Sequence, residues 1–151
     1  MLGRTHIAFG FLAGVLLHPY IGGDPFLFYL LIAIGALLPD VDHQGATINN
    51  LIPVTKVIPV FFKHRGFFHS IFPALILYAG FWVTGRELLA IPLVIGYAAH
   101  LISDSITIMG VNFLYPFSRF ILKGPLKTGT IQENVAFVII WIAVIVLFFV
   151  W

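Results

Sequence analysis

The sequence predicts an all-α fold, a polytopic membrane helical bundle with about five transmembrane helices. Two observations of composition favour it: of 151 residues, 60% are hydrophobic and only 9% are charged. An ordinary soluble domain has roughly 45–50% apolar and 25% charged residues. Because so few charged side chains cannot cover the surface of a soluble protein, lipid must solvate much of this chain.

The third observation is a series of apolar runs close to the roughly 20 residues that a membrane-crossing helix needs. They cover residues 7–21, 25–38, 66–84, 88–109 and 134–151. The first two are short and contain glycines, so they are expected to form a shallow hairpin or to lie in thinned lipid.

Two further apolar stretches, 51–62 and 111–122, lie in connecting loops and are interrupted by proline or charge. They are expected to rest in the membrane interface. Residues 130–133 match a capping box, which favours Glu133 as a helix-starting residue over a catalytic acid.

Positive charge is distributed unevenly over the loops. With the N-terminus inside, only Arg86 lies outside, and the inner residues are Arg4, Lys56, Lys63, Arg65, Arg119, Lys123 and Lys127. The positive-inside rule therefore predicts a cytoplasmic N-terminus and cytoplasmic long loops. We expect one membrane-embedded domain over residues 1–151, with a metal-site core 1–109, an interfacial loop 110–132 and a C-terminal anchor helix 133–151.

A weak internal repeat suggests a duplicated helical hairpin. His6 and Asp40 are separated by nearly the same number of residues as His69 and Asp104, and glycines precede both acids. The alternative is chance similarity between apolar helices, so the duplication is a hypothesis here.

Ionisable side chains collect at the inner ends of the first four predicted helices. A charged side chain inside a membrane helix costs ~2.5–3.5 kcal/mol on insertion scales, so each one is a functional candidate. The candidate metal ligands are His6, Asp40, Asp42, His64, His69, His100 and Asp104. His43 is left open between a ligand and a capping or water-contacting residue.

The local spacing of these residues suits ligation. His100 and Asp104 are four residues apart, which places both on one helix face. Pro39 is expected to end the second helix and to leave residues 39–43 extended, with Asp40 and Asp42 on one side.

His64 and His69 are five residues apart and would point apart on one continuous helix. We therefore expect His64 on a loop and His69 on a helix, with Gly66 as the hinge between them.

Carboxylates gathered so closely repel one another unless a cation neutralises them. Imidazole and carboxylate donors suit zinc, and also manganese or iron, and their number allows more than one ion. Such ions activate water and clamp the oxygens of a phosphoester. Arg65 and Asp42 are the catalytic candidates, Arg65 as the group that binds a phosphate oxygen. The alternative for Arg65 is a positive-inside anchor.

Several other classes of function are disfavoured. A net charge of +2 without a basic run argues against nucleic-acid binding, and the lack of cysteine excludes thiolate zinc sites. The zinc-protease signature His-Glu-x-x-His is absent. The alternatives that stay open are a metal or proton-coupled membrane transporter and a non-catalytic scaffold in which a metal staples the helices.

Three blocks resemble the YdjM family of membrane-bound metal-dependent hydrolases. They are Leu-Leu-Pro-Asp-Val-Asp-His at 37–43, His-Arg-Gly-Phe-Phe-His-Ser at 64–70 and Gly-Tyr-Ala-Ala-His-Leu-Ile-Ser-Asp at 96–104, together with Thr5-His6. The resemblance implies a metal-dependent hydrolase of the prokaryotic inner membrane. More distantly, the His-x-x-x-Asp pattern is similar to the zinc phospholipase C and P1 nuclease group, which cleave phosphodiesters.

We therefore expect a divalent metal cofactor and two classes of partner: membrane lipid, and a lipid or phosphoester substrate. The active site is expected to face the cytoplasm.

Overall fold

The computed structural model describes residues 1–150. Over that range the chain forms seven α-helices: α1 (Gly3–Ile21), α2 (Pro25–Leu37), α3 (Thr47–Leu51), α4 (Ile58–Phe61), α5 (Phe72–Val83), α6 (Glu87–Ser105) and α7 (Ile131–Val150). Short 3-10 segments occur at Leu38–Asp42, Pro53–Val57 and Phe67–His69. Extended pairing within these residues is limited to two isolated bridges in the α6–α7 connection. The prediction of an all-α fold is confirmed.

Helices α1, α2 and α6 pack against one another and form the centre of the bundle. Helix α7 packs on the outside of α1, and α5 packs on the outside of α6. The α2–α6 contact is close because both helices carry glycine at the crossing. A Cβ on Gly96 would lie 2.2 Å from the carbonyl oxygen of Ile32, and one on Gly35 would lie 2.1 Å from that of Leu93.

Three helical segments are long and apolar enough to cross a membrane, namely Pro25–Asp42, Glu87–Ser105 and Ile131–Val150. The prediction of about five transmembrane helices is therefore corrected to three candidates among the described residues. Helix α5 has 12 residues, a rise of about 18 Å. Helix α1 has 19 residues, but Arg4, Thr5 and His6 occupy its first turn and a half.

The chain after α2 also differs from the prediction. Asp24 caps the start of α2 by accepting the Leu27 N–H at 2.7 Å, and the α-helix ends at Leu37, as Pro39 suggested. However, Leu38–Asp42 is a 3-10 segment rather than an extended one. Asp40 and Asp42 therefore do not project to one side of an extended segment, and they contact different nitrogens of His69.

The two loop segments predicted to rest in the interface expose many apolar side chains. In the first, Val54 and Phe61 are among the exposed residues, and in the second Phe117 and Phe120 are. The fold of both segments is compatible with an interfacial position, which stays a prediction.

Candidate metal centre

The candidate metal centre lies where α1 begins and where α2 and α6 end. Three of its residues are fully buried imidazoles: His6 on α1, His69 at the end of the segment Phe67–His69, and His100 on α6. Asp104 on α6 is also buried, whereas Asp40 is 17% exposed. The predicted ligands from four separate stretches of chain thus meet at one point.

Two of the histidines have fixed tautomers. The Nδ1 of His100 lies 2.7 Å from the carbonyl oxygen of Ala36, which can only accept, so this nitrogen carries the proton. Ser103 Oγ donates its single proton to the carbonyl oxygen of His100 at 2.8 Å. It must therefore accept from His6 Nδ1, also 2.8 Å away. Both rings consequently turn an unprotonated Nε2 into the centre, as metal-binding histidines do.

His69 is oriented by a carboxylate. Its Nδ1 lies 3.2 Å from Asp42 Oδ2, so the N–H points away from the centre and Nε2 points into it. Burial by itself lowers the pKa of His69, but contacts with the carboxylates of Asp40 and Asp42 outweigh it and raise the pKa above its ordinary value. The expectation that His69 lies on a helix is corrected, because it ends a 3-10 segment before α5.

The Nε2 atoms of His69 and His100 face each other at 3.4 Å. Two lone pairs repel at this distance unless they share a cation, either a proton or a metal ion. Zinc binds imidazole nitrogen at about 2.0–2.1 Å, so two such ligands of a tetrahedral ion stand about 3.3–3.4 Å apart. The two nitrogens therefore have the separation of a metal-ligand pair.

Two carboxylates complete the surroundings of this pair. Asp40 Oδ1 lies 3.6 Å from His69 Nε2 and 3.8 Å from His100 Nε2. Asp104 Oδ2 lies 3.8 Å and 4.0 Å from the same two nitrogens. Both carboxylate oxygens thus lie within about 4 Å of both imidazole nitrogens. Carboxylate with neutral imidazole is a donor set that suits zinc, manganese or iron.

A second position adjoins the first. His6 Nε2 is buried and has no hydrogen-bond partner among residues 1–150. It lies 3.9 Å from Asp40 Oδ2 and 3.6 Å from Asp104 Oδ1. Each carboxylate thus turns one oxygen to the His69–His100 pair and the other to His6, which is the arrangement of carboxylates that bridge two ions.

Asp42 and His64 are arranged differently from the other predicted ligands. Both oxygens of Asp42 are taken up by imidazole nitrogens, Oδ1 by His64 Nδ1 at 2.8 Å and Oδ2 by His69. Asp42 therefore orients ligands instead of facing the centre. His64 is 36% exposed and forms, with Asp40 and His69, a third group able to hold an ion.

Arg65 is held inside the cluster. Its guanidinium contacts Asp104 Oδ2 at 2.7 Å and the carbonyl oxygen of Gly110 at 2.5 Å. The amino nitrogen of Met1 donates to Asp104 Oδ1. The hinge is Arg65 itself, with φ of 62°, and not Gly66, whose φ is −94°. The predicted hinge position is therefore corrected by one residue.

A polar cavity of about 360 Å³ leads to the centre; we call it the mouth. Asp40, His43, His64 and Arg65 are among the residues that line it. The ring of His43 is tilted by 58° against that of His64, with centroids 4.8 Å apart, and His43 lies outside the three potential metal-binding groups. Asp40 is the one central carboxylate that reaches the mouth, so the centre is accessible to solvent through it.

The sequence did not reveal several groups that shape the centre: Ser103, the carbonyl oxygens of Ala36 and Gly110, and the Met1 nitrogen. Ser103 follows His100 by three residues and so shares its helix face, a signal that a search for outer hydrogen-bond partners would have found. The backbone groups carry no such signal, because any residue offers them.

Comparison with known proteins identifies the family of this chain. The sequence profile of the family described as YdjM inner membrane protein matches residues 1–151. This chain belongs to that family. The uncharacterized protein YvsG of Bacillus subtilis (strain 168) is 36% identical over 140 residues, covering 89% of this chain and 86% of YvsG.

Inner membrane protein YdjM of Escherichia coli (strain K12) is 36% identical over 87 residues, which cover 53% of this chain and 44% of that protein. The inner membrane protein YdjM of Shigella flexneri matches to the same extent. No solved structure matches the chain. Membership of the YdjM family, together with the apolar helices, identifies a membrane protein with clustered residues that can hold a metal ion.

Proposed function

We propose that this YdjM-family protein is a membrane-embedded, metal-dependent hydrolase of phosphoester bonds in a lipid or lipid-linked substrate. The main support is the His69–His100 pair, whose Nε2 atoms lie 3.4 Å apart with both other ring nitrogens already engaged. A shared proton could join these two nitrogens, but it would leave the lone pair of the buried His6 Nε2 without a partner, and Asp40 and Asp104 beside the pair complete a donor set for a metal ion. A cofactor of one or more divalent ions, zinc first and manganese or iron as alternatives, satisfies them.

The proposed reaction needs a Lewis acid and an anion-binding group. A divalent ion bound here supplies the Lewis acid, which makes water a nucleophile near neutral pH and polarises a phosphoryl oxygen. Arg65 supplies the anion-binding group, because its guanidinium lines the mouth beside Asp40. Once a cation neutralises Asp104, the Arg65 fork is free to bind two oxygens of a phosphate.

Asp42, a catalytic candidate from the sequence, acts as a positioning residue in this proposal. It holds the Nδ1 protons of His64 and His69 and accepts the backbone N–H of Arg65 at 3.2 Å. One carboxylate thus fixes two rings and the backbone beside the mouth.

The proposed orientation places the mouth at the cytoplasmic face, since the chain segments around it carry all the Lys and Arg residues except Arg86. At that level the head groups of membrane lipids are the nearest phosphoesters. A transporter would bind its cargo near the bilayer midplane, whereas these donors lie at helix ends, which favours the hydrolase.

The experiment is metal-dependent turnover. The purified protein is stripped with a chelator, reloaded with zinc, manganese or iron, and assayed against phosphatidic acid, phosphatidylglycerol and a soluble aryl phosphate. Turnover that requires the metal and is lost in His100→Ala but kept in His18→Ala supports the proposal. Metal binding without turnover of any of these substrates would favour the metal-stapled scaffold, and metal flux into proteoliposomes would favour the transporter.

A further inference from the structure

A second cavity lies on the other side of the segments that carry the metal ligands. It has a volume of about 430 Å³ and is lined by residues that include Leu38, Val41, Phe68, Ile76 and Leu77. We call it the apolar groove. Its lining residues come from the 3-10 segments Leu38–Asp42, Pro53–Val57 and Phe67–His69 and from helices α4, α5 and α6.

The lining of the groove is almost entirely apolar. Two of its lining residues, Tyr97 and Thr55, carry hydroxyls, but both are engaged. Tyr97 donates to the carbonyl oxygen of Phe68 at 2.5 Å, and Thr55 contacts the carbonyl oxygen of Ile52 and Asn49 Oδ1, each at 2.6 Å. A polar or charged ligand would lose its hydration here without compensation, so the groove suits hydrocarbon.

The groove is continuous with the surface that faces lipid. Ile76 belongs to its lining and is 63% exposed, whereas the adjacent Leu75 lies outside the lining and is 57% exposed. No residue of α5 is buried in the protein, although the helix is strongly apolar. A lipid chain can therefore enter from the bilayer along α5 without crossing a polar barrier.

The groove and the mouth are separated by one stretch of chain. His64 and Arg65 line the mouth, and Phe67 and Phe68 line the groove. Val41 of the groove lies between Asp40 and Asp42, and Phe68 precedes His69. Since neighbouring Cα atoms are about 3.8 Å apart, the groove wall lies within one residue of the metal ligands.

We propose that the apolar groove binds one hydrocarbon chain of the lipid substrate, while the phosphoester of the same molecule lies in the mouth. This inference rests on the proposed function and specifies its substrate as a lipid that keeps a long chain. The linking part of the lipid passes over the stretch His64–Phe68. A water-soluble phosphoester uses the mouth alone and gains nothing from the groove.

The test compares two substrates with the same phosphate ester, long-chain phosphatidic acid in mixed micelles and glycerol phosphate in water. Leu77→Trp fills the groove, and Leu75→Trp places the same side chain on the lipid-facing side of α5. We expect Leu77→Trp to lower kcat/KM for phosphatidic acid at least about tenfold. A loss of this size corresponds to two methylene groups of the lipid chain that the filled groove no longer buries. Leu77→Trp should change kcat/KM for glycerol phosphate by less than about twofold relative to the unaltered protein. Leu75→Trp should stay within the same limit on both substrates.

Equal effects of Leu77→Trp on both substrates, or no effect on either, would overturn the inference while leaving hydrolysis intact. A second measurement does not depend on turnover. Phosphatidic acid with a photoreactive diazirine in its chain is cross-linked to the purified protein and the labelled peptides are identified. The inference is supported if residues 67–77 are labelled and if Leu77→Trp reduces this labelling while Leu75→Trp leaves it unchanged. Uniform labelling of all apolar helices contradicts it, even if the metal-dependent reaction is absent.

Discussion

The Nε2 atoms of His69 and His100 lie 3.4 Å apart, and each ring is held from behind, His69 by Asp42 and His100 by the carbonyl oxygen of Ala36. The rings come from α6 and from the segment before α5, so this contact joins two parts of the bundle. Without a proton or a metal ion between them, the two nitrogens repel each other and the contact costs free energy. With one, the same contact stabilises the helix arrangement.

Metal affinity should rise with pH. The pKa of His69 is raised by its carboxylate neighbours, so below that pKa a proton occupies the Nε2 that the metal needs. Binding therefore releases this proton, and the zinc Kd should fall by about tenfold per pH unit for each proton released as the pH rises toward the raised pKa of His69, and should level off above that pKa. Competition titrations with a zinc indicator measure this. A Kd that is constant across the range would contradict the assigned role of His69.

Asp42→Asn should weaken metal binding without abolishing it. The change leaves one acceptor oxygen for the two imidazole N–H groups that Asp42 now holds, so His64 or His69 loses its orientation. Loss of such an outer partner costs about 10–100-fold in affinity. The control is Asp24→Asn, which keeps an oxygen for the Leu27 N–H at the start of α2. A complete loss of binding in Asp42→Asn would indicate that Asp42 is itself a ligand.

Gly96→Ala should destabilise the bundle and disturb the centre together. The new methyl would lie 2.2 Å from the carbonyl oxygen of Ile32 and 2.8 Å from the nitrogen of Ala36, whose carbonyl orients His100. Overpacking of this kind costs about 1–3 kcal/mol. Gly80→Ala on α5 meets nothing within 4 Å and should be neutral or slightly stabilising. Thermal unfolding in detergent compares the two, and equal stability would show that the α2–α6 crossing is looser than described.

Glu133 should prove to be a structural clamp. Its side chain is fully buried and accepts the Leu2 N–H at 2.7 Å and the Gly129 N–H at 2.6 Å, which joins the start of α7 to the start of α1. In Glu133→Gln an amide NH₂ faces one of these donors, so the free energy of unfolding should fall by about 1–3 kcal/mol. The matched change Glu87→Gln, in the first turn of α6, should cost under about 1 kcal/mol. Equal losses of unfolding free energy in Glu133→Gln and Glu87→Gln would contradict the role of Glu133 as a clamp.

The sequence predicted those parts of the centre that helical periodicity determines. His100 and Asp104 share a face because they are four residues apart on α6. The position of the ionisable residues at one end of the apolar helices indicated where the ligands meet. The sequence could not show which aspartate faces the centre and which one orients the histidines. Asp40 and Asp42 differ in this respect only through their contacts in the folded chain.

The conformation of the connections was less predictable than that of the helices. Leu38 keeps helical angles before Pro39, against the usual preference of a residue that precedes proline. Arg65 adopts the left-handed region beside an available glycine, because its guanidinium is held by Asp104 and the Gly110 carbonyl. Apolar composition also did not reveal that residues 66–71 precede α5 instead of extending it, which removes one of the five predicted spans; the other span that is not a candidate is α1, which begins with polar residues.

The most direct measurement of the central claim is elemental analysis of the purified protein beside His100→Ala and His18→Ala, each after equilibration with limiting zinc. His18 lies near the opposite end of α1, outside the three groups that can hold an ion. The account predicts at least one equivalent of metal in the unaltered protein and in His18→Ala, and a large loss in His100→Ala. Negligible metal in all three, or equal metal in all three, would contradict it.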